Sequence, residues 1–246
     1  MATTPSRAQF ADCSTGLLQM PTAEMQEDGT FMITNNFLNK HSLPTSGWNY
    51  NTFQYGVAVS FWGRVELGYV CTIFNGKWDP RPEEEKTERQ RIIINQDRHF
   101  SGRLCLLREG EFGFGWMPAL VIGVSDFDNG MFKHRNENGF FSRFYLIASK
   151  SFYTAWGDFG AHLGYQWSPR IDYRINAPCV GVNWHPVWLQ NHGLLDRLDV
   201  IVEFDSRTLN IGTIASIWDN HFEAMFELQN FQWVNWGLRY KLRFKK

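Results

Sequence analysis

Alternation of apolar and polar side chains is the feature that most constrains what this chain can fold into. Between residues 53 and 61 the apolar positions are Phe53, Tyr55, Val57, Val59 and Phe61, and small or polar residues separate them. A period of two is the signature of a β-strand. After Trp62, Gly63 and Arg64 the alternation starts again at Val65, so the two segments are predicted to form a tight hairpin.

The same period returns along the whole chain and predicts about twelve strands. They cover residues 30–37, 53–61, 65–73, 99–107, 120–124, 142–152, 159–165, 179–184, 200–204, 209–217, 222–228 and 238–244. No segment keeps a helical period over three turns. In 142–152 the apolar face is ambiguous, because Tyr145 and Ile147 compete with Phe144 and Leu146. The chain is therefore predicted to be an all-β protein.

Composition excludes several other classes. The 246 residues are 43% hydrophobic and 16% aromatic, yet the mean hydropathy is only -0.35. No run approaches the roughly twenty apolar residues of a membrane-spanning helix. The formal net charge of -1 lacks the basic excess that attracts nucleic acid. The four cysteines have neither a metal nor a redox spacing, so no cofactor is expected.

Four features favour a membrane barrel over a soluble barrel or sandwich. The polar faces carry small, neutral groups, for example Gln54, Gly56, Ala58 and Ser60, which suit a concave interior. Long polar links (39–51, 75–98, 128–141, 167–177) alternate with short ones, as in outer-membrane barrels. Tryptophans fall at the short-link ends of strands, where they form an interfacial girdle: Trp62, Trp116, Trp156, Trp188 and Trp218. The chain ends on an alternating strand that finishes at Phe244.

These features predict an antiparallel transmembrane β-barrel of about twelve strands, with long extracellular loops and shorter periplasmic turns. The side chains expected to face lipid are Phe53, Tyr55, Val57, Val59, Phe61, Leu238, Tyr240, Leu242 and Phe244. The charged side chains expected in the lumen are Glu203, Glu223, Glu227, Arg239, Lys241 and Arg243. Glu223 is predicted to face Arg239 or Lys241 across the last hairpin. The charges form either a selective constriction or a salt-bridge network that fills the lumen, and the strand number favours the network.

Catalytic and metal-binding patterns are weak. His162 with Asp126, or His99 near Ser101, are the best candidates for catalysis, but neither lies in a nucleophile elbow. His185 and His192 lack a third metal ligand, so neither an enzyme nor a metal protein is expected. The apolar stretch 112–116 is either a membrane-interface anchor or a plug that folds into the lumen. The mixed-charge run 81–91 is expected in a solvated extracellular loop.

Several short motifs resemble the YjbH-like outer-membrane β-barrel family. The N-terminal anchors are Gly16, Leu17, Pro21, Thr22, Ala23, Asp28, Gly29 and Thr30. Further similarity lies in residues 97–127, 149–152 and 203–205. The resemblance implies export through the inner membrane, insertion into the outer membrane, and an association with exopolysaccharide production or secretion.

Pattern and resemblance together predict two parts, an N-terminal periplasmic segment (1–29) and an outer-membrane barrel (30–246). The expected location is the bacterial outer membrane, with a signal peptide already removed. The expected role is structural or accessory, in a larger envelope complex for exopolysaccharide export, with lipid, other envelope proteins and polysaccharide as partners and no nucleic acid. An independent pore for small solutes and a soluble barrel that binds an apolar ligand stay open as alternatives.

Overall fold

Twelve antiparallel strands form one closed barrel in the described part of the chain. The computed structural model describes residues 9–10, 12–44, 50–75, 94–127, 140–170, 173, 175–189 and 194–244. The strands are β1 (Thr30–Leu38), β2 (Thr52–Phe61), β3 (Val65–Asn75), β4 (Ile94–Leu107), β5 (Ala119–Ser125), β6 (Arg143–Thr154), β7 (Gly157–Trp167), β8 (Ala177–Pro186), β9 (Leu195–Phe204), β10 (Leu209–Ile217), β11 (Phe222–Gln229) and β12 (Trp233–Arg243). The predicted fold class and strand number are confirmed.

Each strand pairs with its neighbours in sequence, and the first strand closes on the last. In that closing pair, Thr30 lies opposite Arg243 and Phe37 lies opposite Trp236. A sheet that closes on itself leaves no edge with unpaired backbone groups, which is required of strands that cross a bilayer. Within the described links, two single-turn 3₁₀ helices are present, Glu111–Gly113 and Val187–Leu189. Among the described residues, no helix combines the length and the apolar character needed to cross a membrane.

The links divide between two rims of the barrel. The rim that carries the longest links joins β1 to β2, β3 to β4, β5 to β6 and β7 to β8, and we call it the long-link rim. The opposite, short-link rim holds the turn after Phe61, where Trp62 and Gly63 take positive φ angles of 56° and 57°. Such angles suit glycine and close a tight hairpin with the right-handed strand twist. Both ends of the barrel, Thr30 and Arg243, also lie at the short-link rim.

The exposure of the strands follows the predicted faces. In β2, Phe53, Tyr55, Val57 and Phe61 are exposed, while Gln54 and Ser60 are fully buried. A soluble barrel that binds an apolar ligand would hide its apolar face inside, so the observed orientation is that of a transmembrane barrel. In β6 the ambiguity is resolved with Leu146 outside and Tyr145 and Ile147 inside. The interior therefore contains hydrophobic side chains of its own.

Candidate functional site

Most of the described part of the N-terminal segment, residues 9–10 and 12–26, lies inside the barrel, and we call it the plug. Four of its large apolar side chains are completely inaccessible to solvent: Phe10, Leu17, Leu18 and Met20. The sequence places residues 1–29 in the periplasm as a separate segment, whereas in the structure the plug occupies the lumen. It does so because a short apolar stretch gains more free energy by burial among barrel side chains than by exposure to water.

The plug folds back on itself at its centre. Gly16 and Pro21 form an isolated antiparallel bridge, and the Leu17 N–H donates to the Met20 carbonyl at 2.8 Å. Upstream, the Phe10 N–H donates to the Leu18 carbonyl at 2.7 Å. This compact turn satisfies some backbone groups internally, but it leaves others that only the barrel wall can satisfy.

Two hydrophobic clusters join the plug to the wall. Phe10, Leu17 and Leu18 belong to one cluster and Met20 and Ala23 to the other. The wall residues of the first are Leu38, Leu43, Phe141, Ile201, Ile214 and Met225. Those of the second are Cys105, Ala119, Val121, Tyr145, Ile147 and Cys179. The plug thus supplies apolar partners for the inward apolar groups of both clusters.

Small lumen residues make room for the plug. A Cβ atom placed on Gly181 would lie 2.3 Å from Leu17 Cδ1, and one placed on Gly56 would lie 2.7 Å from Cys13 Sγ. Both distances are below any tolerated contact between carbon and a heavy atom, so a side chain at either position would push the plug away. The small polar face predicted from the sequence is therefore occupied by protein.

Glu203 anchors the central turn of the plug. Its carboxylate accepts hydrogen bonds from three consecutive backbone N–H groups, those of Leu18 (3.0 Å), Gln19 (2.7 Å) and Met20 (3.3 Å). Asn210 Nδ2 donates to the same carboxylate at 3.1 Å. Hydrogen bonds to a charged acceptor are about twice as strong as neutral ones. A single wall side chain therefore fixes the position of the turn.

Glu66 and Arg103 hold the plug from neighbouring strands. Glu66 accepts from the Thr15 N–H (3.1 Å), the Thr15 hydroxyl (2.7 Å) and the Gln26 N–H (2.8 Å). Arg103 donates to the Thr15 and Thr22 carbonyls and, at 2.7 Å, to that of Glu24. The Arg103 Nε lies 3.7 Å from Glu66, so the two anchors also stabilise each other.

Arg143 forms a fourth anchor, near the other end of the plug. Its guanidinium pairs with the Asp12 carboxylate and donates to Gln9 Oε1 at 2.9 Å. It also donates to Gln166 Oε1 on β7 at 2.9 Å. Asp12 and Arg143 are both buried. A buried ion pair requires such further hydrogen bonds, because they offset the cost of removing both charges from water.

Of the six charged side chains predicted for the lumen, five lie inside it and one does not. Glu203, Glu223, Glu227, Arg239 and Lys241 are buried, each at most 1% exposed. Glu227 accepts from Gln19 Nε2 at 2.8 Å, and Arg239 donates to the Ser14 carbonyl at 3.2 Å, so both contact the plug. Arg243 lies instead at the short-link rim, where it is exposed and 3.2 Å from Glu27. Its place at the very end of β12 puts its side chain outside the lumen.

Glu223 faces Arg239 in the strand register and forms an ion pair with Lys241 Nζ. Its other oxygen lies 3.9 Å from Arg239 Nη1. We expect Glu223→Gln to destabilise the detergent-solubilised barrel by about 3–5 kcal/mol, because it removes the carboxylate that pairs with the buried Lys241. Adding Lys241→Gln should restore much of the loss in thermal unfolding. Adding Arg239→Gln should restore less, since that change also removes the bond to Ser14. Equal, additive losses in both double variants would contradict this pairing.

Aromatic side chains surround the short-link rim. Trp62, Trp116, Trp156, Trp188 and Trp218 are all exposed, and each lies in or beside a different link of this rim. The predicted lipid-facing residues of β12 point outward too, with Leu238 and Phe244 exposed and Tyr240 and Leu242 half-buried. The stretch 112–116 projects outward, since Phe112 is 77% exposed, so it does not enter the lumen. In the same link, the Arg108 N–H and the Arg64 guanidinium lower the pKa of Glu111 below its usual value.

His162, considered for catalysis, makes hydrogen bonds to both neighbouring strands. His162 contacts Ser149 Oγ (2.7 Å) and Asn183 Oδ1 (2.9 Å) through its two ring nitrogens. Asp126, its predicted partner, accepts instead from the Phe141 N–H at 3.0 Å. Ser101 donates to the Asp12 carbonyl at 3.3 Å. His185 contacts the Leu198 carbonyl, and His192 lies outside the described residues.

Sequence reasoning missed Glu66, Arg103, Arg143 and Asp12 as lumen residues. Glu66 was detectable, because it lies on the polar face of the second alternating segment. Arg103 and Arg143 lie in strands whose faces the sequence alone leaves unassigned. Asp12 had no periodic signal, since the plug is not a strand.

Comparisons with known proteins show one family by its sequence model, and several solved structures are similar to this chain. One of these structures, titled "Crystal Structure of the Beta Domain of the Bordetella Autotransporter Brka", is similar over 89% of this chain and 100% of that chain, at 12% identity and a TM-score of 0.38. No curated protein sequence matches. The sequence model of the YjbH family, described as exopolysaccharide biosynthesis protein YbjH, matches residues 12–175, which include most of the plug and the strands from β1 to β7. The chain therefore belongs to the YjbH family.

Proposed function

We propose that this protein is a plugged outer-membrane barrel with a structural or accessory role in exopolysaccharide export, exercised within a larger envelope complex and without catalysis. Membership of the YjbH family supports the link to exopolysaccharide. The apolar outer face and the aromatic rim support a location in a membrane that is crossed by β-barrels.

The occupied lumen is the observation that carries the accessory role. A hydrated polysaccharide needs an open, polar passage, whereas this passage is filled by Phe10, Leu17, Leu18 and Met20. The wall charges that could line a polar passage, such as Glu203 and Arg143, are engaged by plug groups. A barrel in this state contributes to export through its surfaces, by contacts with other proteins.

The long-link rim offers the surfaces for such contacts. Links on a rigid scaffold commonly carry recognition, and the longest links between strands, 76–93 and 126–142, belong to this rim. The sequence predicts these links at 75–98 and 128–141, but β4 already begins at Ile94. Residues 76–93 and 128–139, which include the charged run 81–91, lie outside the described residues. A stable interface buries about 1,200–2,000 Å² in total, which is within the reach of loops of this length.

Native extraction tests the accessory role. In mild detergent we expect the wild-type barrel to be recovered in an assembly larger than the monomer, and to show no conductance in planar bilayers. Deleting residues 81–91 should release the partner, because it removes the charged surface, and should leave a folded barrel that still migrates differently before and after boiling. Size-exclusion chromatography with light scattering measures both species.

A matched deletion on the opposite rim provides the control. Removing residues 112–115 shortens a short-link-rim connection and should leave the assembly intact. Recovery of a free wild-type monomer, together with single-channel conductance, would refute the accessory role. Release by the 112–115 deletion alone would move the docking surface to the short-link rim.

A gated pore is the second candidate, and one observation favours it. A cavity of about 1180 Å³ opens at the short-link rim, lined by the end of the plug at Glu24 and Gln26 and by wall residues that include Arg108 and Lys150. This cavity lies where the plug leaves the lumen, so it provides space for a displaced plug. Wild-type conductance separates this candidate from the accessory role.

A further inference from the structure

Three buried side chains with metal-ligand chemistry meet inside the barrel near the long-link rim. Asp97 and His99 are two residues apart on β4 and point inward together. Asp126 follows β5 directly, and its N–H donates to the Phe100 carbonyl of β4 at 2.8 Å, which brings its carboxylate beside them. One ligand atom from each of the three lies within 4.8 Å of the others. The plug anchors and the Glu223 ion pairs described above do not use this group.

The side chain of His99 gives an independent indication that the group binds a ligand. Its side chain is buried, and neither ring nitrogen has a hydrogen-bond partner among the described residues; the same holds for Asp97 Oδ2. An unsatisfied buried polar group is costly, so native proteins rarely leave three together. His162 lies equally deep in the same lumen and has both ring nitrogens satisfied. The ring nitrogens of His99, unlike those of His162, are therefore available to a ligand, with the Asp97 carboxylate within ion-pair distance of one of them.

The spacing suits a bound cation. His99 Nδ1 lies 3.7 Å from Asp97 Oδ2, which is too long for a hydrogen bond. Two ligand atoms on one tetrahedral ion, each bonded at about 2.1 Å, lie about 3.4 Å apart. The observed separation is therefore close to that of a pair that shares a metal ion. Small side-chain rotations would bring the third ligand atom into range.

We propose that Asp97, His99 and Asp126 form a binding site for a divalent transition-metal ion, with Zn²⁺ as its representative. A neutral imidazole with two carboxylates is a ligand set that Zn²⁺ accepts, and the two negative charges balance the ion. A fourth position is left for water. Mg²⁺ and Ca²⁺ prefer sites built from oxygen alone, so they should compete poorly.

The surroundings fix the ligands and give the site a role. The His99 ring stacks on Phe141, with 4.9 Å between ring centroids. Asp126 Oδ2 accepts from the Phe141 N–H, and the Ser142 hydroxyl donates to the Asp126 carbonyl at 2.8 Å. Groups of this kind orient metal ligands. An ion here ties β4 to the end of β5 and to the base of the β5–β6 link, so it stabilises the long-link rim.

Zinc binding by the purified, tag-free barrel tests the site. After treatment with a chelator, the wild-type protein in detergent micelles should take up one Zn²⁺ per chain in equilibrium dialysis, measured by elemental analysis. Asp97→Asn and His99→Gln should each weaken zinc binding by at least about tenfold, because each removes a ligand. His162→Gln is the matched control, since it alters a buried lumen histidine outside the site, and it should keep wild-type zinc binding.

Co²⁺ absorption gives a second measurement that needs no variant. Wild-type protein should give the intense visible bands of a four-coordinate ion, and Zn²⁺ should abolish them. The proposal is overturned if wild-type protein binds no stoichiometric zinc. It is equally overturned if His99→Gln and Asp97→Asn bind zinc as wild type does, or if Co²⁺ keeps the weak spectrum of the hydrated ion.

Discussion

Deleting residues 1–26 should convert a closed barrel into a conducting one. The plug is the only described part of the chain that crosses the lumen, and its removal leaves a wall lined by Glu66, Glu203, Arg103 and Arg143. Water enters a passage that is lined by charged side chains. A twelve-stranded barrel is also wider than the eight-stranded barrels whose side chains fill the interior. We expect discrete single-channel steps from the shortened protein in planar bilayers and none from the wild-type protein.

The deletion is placed so that the barrel itself is preserved. Residues 27–29 are kept because Asp28 accepts from the Trp62 N–H at 2.5 Å and so supports the β2–β3 turn. A changed electrophoretic mobility on boiling shows whether the shortened chain still folds. A synthetic peptide spanning residues 9–26 should reduce the conductance when added to the shortened barrel. Folded, shortened barrels that stay silent would show that the plug does not control the passage.

The exterior of this barrel could be predicted from the sequence because lipid imposes one simple rule on it. Most outward positions are apolar, although Asn35 is an exception, so segments such as 53–61 and 222–228 alternate without ambiguity. The register of the last hairpin follows from the same alternation and a short turn, which puts Glu223 opposite Arg239. Local pattern and three-dimensional environment coincide on this face.

The interior could not be predicted in the same way, because both polar and apolar side chains belong there. A water-filled lumen would be polar throughout, whereas a plugged lumen needs apolar groups wherever the plug packs. Tyr145 and Ile147 are such groups, and they make the alternation of β6 ambiguous. The contact between Glu203 and Leu18 joins residues 185 positions apart, so no local pattern contains it. The plug has no strand period, since it is a compact turn.

Neutralising Glu203 should release the plug more than the same change at Glu227, another buried wall carboxylate. In Glu203→Gln the new side-chain amide keeps one acceptor oxygen, but it turns an NH₂ donor toward backbone N–H groups, which are themselves donors. Losing charge-assisted hydrogen bonds to the N–H groups of Leu18, Gln19 and Met20 should weaken plug docking by about 2–4 kcal/mol. That corresponds to about 30- to 900-fold more of the open form.

Cys13 reports on this opening, because its thiol is fully buried in the plug. In a background with Cys71, Cys105 and Cys179 replaced by alanine, Glu203→Gln should accelerate maleimide labelling of Cys13 by a factor in that range. Glu227→Gln is the matched control: Glu227 is equally buried but holds the described plug by one hydrogen bond, from the Gln19 side chain at 2.8 Å, so the acceleration should be smaller. Labelling of Glu203→Gln at the wild-type rate, or slower than Glu227→Gln, would show that the three N–H bonds do not hold the turn in place.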